Sequence, residues 1–533
     1  MFQVVSYFSA EYLVVFLPAV ILLMAVLPQR ARRAALLICN GALFWAFSSK
    51  LIVYLIFTTF SMHHIGLWIS AIQHEEDAQL KTAEKSEKKE LKKLWKKKQL
   101  HVLIFAVILH IGTLLVLKYS PFFLTNVNSL LGACGSSFRF RIPTFMIPMG
   151  ISFYTMQSVS YMIDVYRRTI QADRNIFRLA LYISFFPQIM EGPISRYSEI
   201  ANQIWEMPRV KYENFIFGVQ RITYGVLKKM VIADRLNMFL DNIYNGYLIH
   251  NGTVMAVGAV AYTIQLYMEF SGTMDLVIGC AQILGVRLPE NFQRPFFSNS
   301  ISEFWKRWHI TLGTWFRDYI FYPVSMSKPM KKLTLKARKK LGNHFGPLLA
   351  GAIALFCVWF SNGLWHGAGW RYIFFGMYHF VLILLGNMIT PYSIAFLKKV
   401  HINRNGKPYM AFRILRTTIL VCIGEMFFRA LSLKAGLLMF RKMVTKFSWK
   451  TFTDGTLLHL GMDGYDYIII GVTLVLVFIV SCMQEKKINI YENIAKRHVV
   501  VRYAIYYAVI LFIIIFGAYG RGYVPVDPIY AKF

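Results

Sequence analysis

The stretch PENFQRPFFSNSISEFWKRWHITLGTWFRDYIFYP, Pro289 to Pro323, sets one histidine, His309, among three tryptophans. It is answered by SNGLWHGAGW, Ser361 to Trp370, where His366 stands between Trp365 and Gly367. Both lie in a chain made mostly of apolar lengths. An ionisable side chain is costly there and is a functional-site hypothesis by default. Two imidazoles in aromatic, glycine-punctuated settings point to proton transfer, because a neutral imidazole accepts a proton near physiological pH.

Placed on one helix, Ile301 to Ile320 separates into two faces. Glu303, Lys306, Arg307, Thr314 and Arg317 gather on one side; Trp305, Trp308, Leu312, Trp315, Phe316 and Tyr319 gather on the other, with His309 at the edge of the aromatic face. The expectation is an amphipathic interfacial helix that turns one imidazole inward and its basic side to headgroups or a polyanionic donor. His309 alone also fits a buried histidine satisfied by a backbone carbonyl. His366 has Gly363, Gly367 and Gly369 nearby, where missing side chains let a backbone or a substrate approach.

The 533 residues are 56% hydrophobic, with mean hydropathy +0.45. Windows of about 20 apolar residues, the length that crosses a bilayer as a helix, recur from end to end. The expected fold is all-α: one polytopic integral membrane domain over residues 1–533, with membrane lipid as its surroundings. The net charge of +32 sits largely in loops between spans, where Lys and Arg mark the cytoplasmic side, so nucleic acid is not the expected partner. Six cysteines without short paired spacings suggest neither a disulfide framework nor a zinc site. No His/Cys metal pattern, GxSxG elbow or glycine-rich phosphate loop occurs, so no metal and no bound cofactor are expected.

Along the chain, spans are expected near Tyr12–Leu27, Ala34–Phe47, Leu51–Ile72 and His101–Leu117, the first retained and not cleaved as a signal. The charged segment 74–99 reads as one cytoplasmic helix with Asp77–Lys81 and Glu84–Lys88 pairs. Phe145–Arg168, interrupted by Pro148 and Gly150, should be broken or re-entrant, with Gln157, Ser158, Ser160 and Asp164 turned from lipid. The basic stretch Phe215–Leu236 suits the interface. Val254–Cys280 holds Glu269 and Asp275, which need partners such as Arg294. Lys328–Lys340 and Lys398–Lys407 read as cytoplasmic, and further spans lie near Gly346–Phe360, Trp370–Met388, Met410–Phe428, Tyr467–Cys482 and Ala504–Gly517. The basic segment before the second-last span reads as an interfacial helix. Residues 289–370 form the expected active-site core.

PMGISFYTMQSVSYMIDVYR, YISFFPQIMEGPISRY, YGVLKKMVIADRL, YMEFSGTMDLVIG, the two histidine stretches and the close at Ile514–Phe533 together resemble the membrane-bound O-acyltransferase family, in its bacterial branch of alginate O-acetyltransferases and teichoic acid D-alanyl transferases. The resemblance implies a ring of roughly ten or more transmembrane helices around a tunnel, with re-entrant and interfacial helices, in the bacterial cell membrane. It implies that His366 is the catalytic histidine and His309 the second active-site histidine. It also implies a polysaccharide acceptor and an extracytoplasmic acetyltransferase or esterase-like partner protein.

The expected activity is transfer of an acyl group, acetyl from acetyl-CoA, to an extracytoplasmic hydroxyl. Lys306, Arg307 and Arg317 are candidate contacts for donor phosphates, and Trp305, Trp308, Asn362 and Trp365 for donor or acceptor. Two alternatives stay open: D-alanyl transfer from an acyl-carrier protein, and a polysaccharide transporter without chemistry, whose interrupted helices and buried polar groups would look alike.

Overall fold

The computed structural model describes residues 6–520 and 522–527. Residues 1–5, ahead of the expected first span, and residues 521 and 528–533 of the closing motif, lie outside the described residues. The chain is helical, and among the described residues the extended segments form no sheet; an isolated antiparallel bridge joins Phe292 and Trp308. Among the described residues six helical stretches are long and apolar enough to cross a membrane, 29–82, 88–133, 328–366, 370–399, 464–485 and 499–516, which makes this a multi-pass membrane protein. Contacts divide the described chain into two units, 6–219 with 277–289, and 220–276 with 290–527.

The first unit holds α1 (Leu17–Val26), α2 (Gln29–Ser48), α3 (Ile52–Thr82), α4 (Lys88–Leu114), α5 (Ser120–Ala133), α6 (Ile151–Tyr166), α7 (Ile176–Ser184) and α8 (Tyr197–Glu206). Helices α3, α4 and α6 pack against one another. Between them the His110 ring bonds Ser61 Oγ at 3.1 Å and Ser158 Oγ at 3.3 Å, so a buried imidazole is satisfied by two hydroxyls. The interruption expected in 145–168 falls before α6, which then runs without a break. Gln157, Ser158 and Ser160 are buried against protein, as backbone and polar groups away from water require.

The charged segment departs from the single-helix expectation. It is the end of α3 and the start of α4, separated by a turn at residues 83–87. Trp95 Nε1 donates to Gln79 at 3.0 Å and Gln99 to Glu76 at 2.8 Å across the pair. Asp77 pairs with Arg168 at 2.8 Å. The long-range partners outcompete the i,i+4 pairing, which is worth only about 0.2–0.5 kcal/mol.

α9 (Tyr212–Leu227) leads into a π-helical turn, Lys228–Ala233. Then follow α10 (Asn237–Asn245), α11 (Gly252–Ile283), α12 (Ile301–Arg307), α13 (Ile310–Phe316), α14 (Tyr322–Ser325), α15 (Lys328–His366), α16 (Trp370–Lys399), α17 (Lys407–Arg429), α18 (Leu433–Thr445), α19 (Gly464–Glu485), α20 (Ile490–Ala495) and α21 (Val499–Phe516). The expected spans Val254–Cys280 and Met410–Phe428 are helical, as α11 and α17, outside the group of six. α15 bends at Gly342 (φ 77°, ψ −177°), so Lys328–Lys340 is helical as well. In α18, Lys442 Nζ donates to the carbonyl oxygens of Tyr247, Leu248 and His250 at 2.6–2.8 Å. That basic stretch is therefore partly tied inward.

α15 and α16 form the closest helix pair of the second unit, and α16 also packs on α12 and α17. The approach depends on glycine: a Cβ at Gly376 would lie 2.3 Å from the Trp359 carbonyl oxygen, and one at Gly363 would lie 2.6 Å from that of Tyr372. A side chain there must push the helices apart, at a typical cost of about 1–3 kcal/mol. Gly386, farther along α16, has nothing within 4 Å of a built Cβ. Gly376→Ala is therefore expected to lower the thermal unfolding midpoint of the detergent-solubilised protein, while Gly386→Ala leaves it unchanged or raises it, since alanine is the better helix former by about 1 kcal/mol.

Candidate active site

The sequence pattern alone continues one helix through Ile301–Ile320, but the chain breaks at Trp308–His309. α12 ends at Arg307, Trp308 is extended, and His309 takes the left-handed conformation (φ 47°, ψ 51°) before α13 starts. The break is held by the segment ahead of it. Gln293 N donates to Arg307 O at 2.9 Å and Ile310 N to Asn291 O at 3.0 Å, around the Phe292–Trp308 bridge. Inter-segment hydrogen bonds thus replace the helical ones, and the two-face assignment does not carry across the break.

His309 is 3% exposed and His366 6%. The His309 ring stands 4.8 Å edge-on from Phe270 and 5.6 Å from Trp365. His366 ends α15, and its ring lies 5.0 Å from the same Trp365 and 5.1 Å from Phe428. The two histidines therefore share one aromatic wall, Trp365. Asn362, one turn before His366 and on the same helix face, is buried. Its Oδ1 takes no hydrogen bond among the described residues, and a buried acceptor without a donor calls for a functional or solvent explanation.

The other expected site residues divide. Trp305 faces inward: its indole N–H donates to His379 Nδ1 at 3.2 Å, beside Trp359. Trp308 is buried against Phe304 and Tyr267. Lys306 is exposed. Arg307 pairs with Glu303 at 2.9 Å and with Glu485 at 3.2 Å. Arg317 is exposed and pairs with its neighbour Asp318 at 2.8 Å; nothing in the geometry brings it to the two histidines.

Three side chains escaped the sequence reading. His379 is fully buried and receives the Trp305 indole N–H. Asn291 holds His309 Nδ1 at 3.2 Å, and a bond across 18 positions has no sequence signature. Glu425 is 2% exposed on α17, three positions from Phe428; a carboxylate inside an apolar span was the signal for it.

Beyond Asn291 lies a cavity of about 420 Å³, lined among others by Arg221, Lys228, Tyr267, Asp275 and Tyr491. Arg221 reaches Asp275 at 3.0 Å and Glu290 at 2.6 Å, and Lys228 reaches Asp275 at 2.5 Å. The partners of Asp275 are thus Arg221 and Lys228, whereas Arg294 pairs with Glu485. Lys229 pairs with Asp234 and Arg235 with Asp466. The basic face of 215–236, expected at the interface, is instead drawn inward by buried carboxylates.

A multi-pass helical protein with two buried histidines on a shared tryptophan and an ionic cavity behind one of them is a membrane-embedded site suited to proton transfer. Residues 169–338 match the sequence model of the membrane-bound O-acyltransferase family. The chain is 34% identical over 353 residues to a probable alginate O-acetylase of Pseudomonas syringae pv. tomato, covering 65% of this chain and 61% of that protein. It is 29% identical over 379 residues to a peptidoglycan O-acetyltransferase of Helicobacter pylori, covering 66% and 65%. It is 30% identical over 251 residues to a teichoic acid D-alanyltransferase of Bacillus subtilis, covering 46% and 60%. The matches thus span about three fifths of the length of these relatives. Among the described residues no group of His, Cys, Asp or Glu is arranged to hold a metal ion.

The ion-pair network carries its own test. Asp275→Asn leaves Arg221 and Lys228 in a site shielded from water with one fewer counter-charge, and removing one member of a buried pair typically costs about 3–5 kcal/mol. The variant is expected to lose a corresponding part of its unfolding free energy in detergent, whereas Asp318→Asn, at the exposed pair with Arg317, should shift it by less than about 1 kcal/mol.

Proposed function

We propose that the protein is an O-acyltransferase of the bacterial cell membrane, one functional domain over residues 1–533, that moves an acetyl group from acetyl-CoA to a hydroxyl of an extracytoplasmic polysaccharide. The single observation carrying this reading is the contact of both His309 and His366 with Trp365, in a chain similar to proteins named as an alginate O-acetylase and a peptidoglycan O-acetyltransferase.

In the proposed reaction the acceptor oxygen attacks the thioester carbonyl carbon. A C–O bond forms, the C–S bond breaks, and the hydroxyl proton passes through His366 to the departing thiolate. His366 is the general base, a role worth about 10²- to 10⁴-fold. His309 orients the acceptor hydroxyl, and Asn362 offers its carbonyl oxygen to the donor's amide or to a sugar hydroxyl. Trp305, Trp308 and Trp365 form the wall against which the substrates lie. The cavity beyond Asn291 falls within the usual size of small-molecule sites, about 300–1,000 Å³, and with Lys306 and Arg307 supports recognition of an anionic donor. We assign Arg317 no more than a peripheral contact with that donor. A separate extracytoplasmic esterase-like protein completes delivery to the polymer.

The D-alanyl transferase relative keeps aminoacyl transfer from a carrier protein as a second reading. Purified protein in vesicles, supplied with radiolabelled acetyl-CoA and polysaccharide, is expected to label the polymer. His366→Ala at equal folded yield should cut that labelling by at least about 10²-fold. Equal labelling by the variant removes His366 as the base. Labelling by wild type only from a carrier-bound aminoacyl donor replaces the acetyl reading with the second one.

A further inference from the structure

We propose that Asn291 is a positioning residue for His309, one that fixes the imidazole with its hydrogen on Nδ1 and thereby makes Nε2 a hydrogen-bond acceptor. Asn291 is fully buried. The backbone N–H of Thr311 donates to its Oδ1 at 3.1 Å, and the Thr311 hydroxyl does so at 3.0 Å. A backbone N–H is a donor without alternative, so the atom it meets is the carboxamide oxygen and the orientation of the amide is assigned by the network. The amide nitrogen turns the other way, to Met274 Sδ at 3.3 Å. His309 Nδ1 lies 3.2 Å from that same oxygen, and an oxygen that only accepts requires the hydrogen to be on Nδ1.

The backbone adds a second constraint. His309 is held at φ 47°, a conformation unfavourable for an L-residue and kept only where surrounding contacts over-determine it. Asn291 supplies those contacts on both sides: its own carbonyl takes Ile310 N and its side chain takes Thr311 N and the His309 ring. A left-handed turn and a fixed tautomer thus have one cause.

The consequence is a division of labour, and it rests on the acyl-transfer reading above. A neutral imidazole with its hydrogen on Nδ1 has no N–H at Nε2 to offer an oxyanion. His309 therefore orients the acceptor by accepting, at Nε2, a hydrogen bond from a sugar hydroxyl other than the attacking one, whose proton passes to His366. Around the ring, α11 contributes Phe270 and Met274, α13 contributes Thr311, and α15 contributes Trp365 with His366 beyond it; His366 is the titratable group that faces it.

Asn291→Asp keeps an oxygen for Thr311 but sets a carboxylate against Nδ1–H, which favours the imidazolium. The acid limb of the transfer-rate profile is expected to move to higher pH by a unit or more, with the upper plateau within a few-fold of wild type. Asn291→Leu removes the acceptor, frees the tautomer, and should lower kcat by about 10²- to 10⁴-fold with little change in KM. Should the leucine variant fail to fold, the aspartate profile decides alone, and a profile that superimposes on wild type overturns the proposal. Nitrogen-15 imidazole signals of wild type, assigned to His309 by difference from His309→Gln, give a readout independent of turnover. An Nδ1–H tautomer is expected; an Nε2–H tautomer overturns the assignment even if the protein transfers no acyl group, a result that would count only against the reading under the previous heading.

Discussion

Asp275, Arg221 and Lys228 meet where little water reaches them, and the rest of the site hangs from that meeting. Two cations on α9 and the turn that follows it would be intolerable in an apolar interior without a carboxylate, and a lone carboxylate on α11 equally so. Pairing at 2.5–3.0 Å resolves both. Arg221 has a fork of donors to spare and uses it on Glu290, the residue immediately before Asn291. A charge network thus pins the start of the segment whose next residue grips His309. The chain of constraint runs from ion pair to backbone position, and from backbone position to imidazole orientation.

Much of this architecture was legible in the sequence. Apolar windows of spanning length announced the membrane helices, and the cost of titratable groups in apolar surroundings drew notice to His309 and His366, both of which are buried. Asp275 was recognisable as a residue in need of partners and has them, whereas Glu269, read the same way, is buried with its Oε2 unbonded among the described residues. What the pattern misplaced has a common physical cause. Helical periodicity is a local signal, and it ran straight through Trp308–His309 because nothing within a few residues argues against a helix there. The break is made by Asn291, 18 positions earlier. The same holds for the basic stretch with Lys228 and Lys229. Seen locally it has the cations of an interfacial helix, and only distant carboxylates and a backbone carbonyl, Val526 O at 2.9 Å from Lys229 Nζ, turn it inward. In 74–99 the helix propensity was read correctly; the turn at 83–87 was not, because pairing across α3 and α4 decides it.

His366 is placed by a different device. The small residues Gly363 and Gly376 let α15 and α16 approach until Phe375 and, from α17, Phe428 close on the ring. The two imidazoles thus sit in different settings, one hydrogen-bonded on a left-handed turn and one against aromatic rings at a helix end.

Charge accounting bears on how an anionic donor could be held. The sequence carries 59 Lys and Arg against 27 Asp and Glu, which reads as a surplus available to phosphate. Around the site the surplus is smaller. Arg221 and Lys228 are committed to Asp275 and Glu290, Arg294 and Arg307 both engage Glu485, and Arg317 engages Asp318. A phosphate arriving at the cavity meets cations that already have partners, so its binding is an exchange of one anion for another and not the filling of a vacancy. Exchange gains little from raw attraction, since the displaced carboxylate must itself be solvated. It favours ligands whose oxygens match the guanidinium fork better than Glu290 does, and Glu290 and Glu485, with side chains 45% and 35% exposed, are the two partners placed to yield to water. For an anionic donor of the kind proposed, selectivity would then reside in geometry at Arg221, Arg294 and Arg307, with net charge contributing mainly to attraction from a distance.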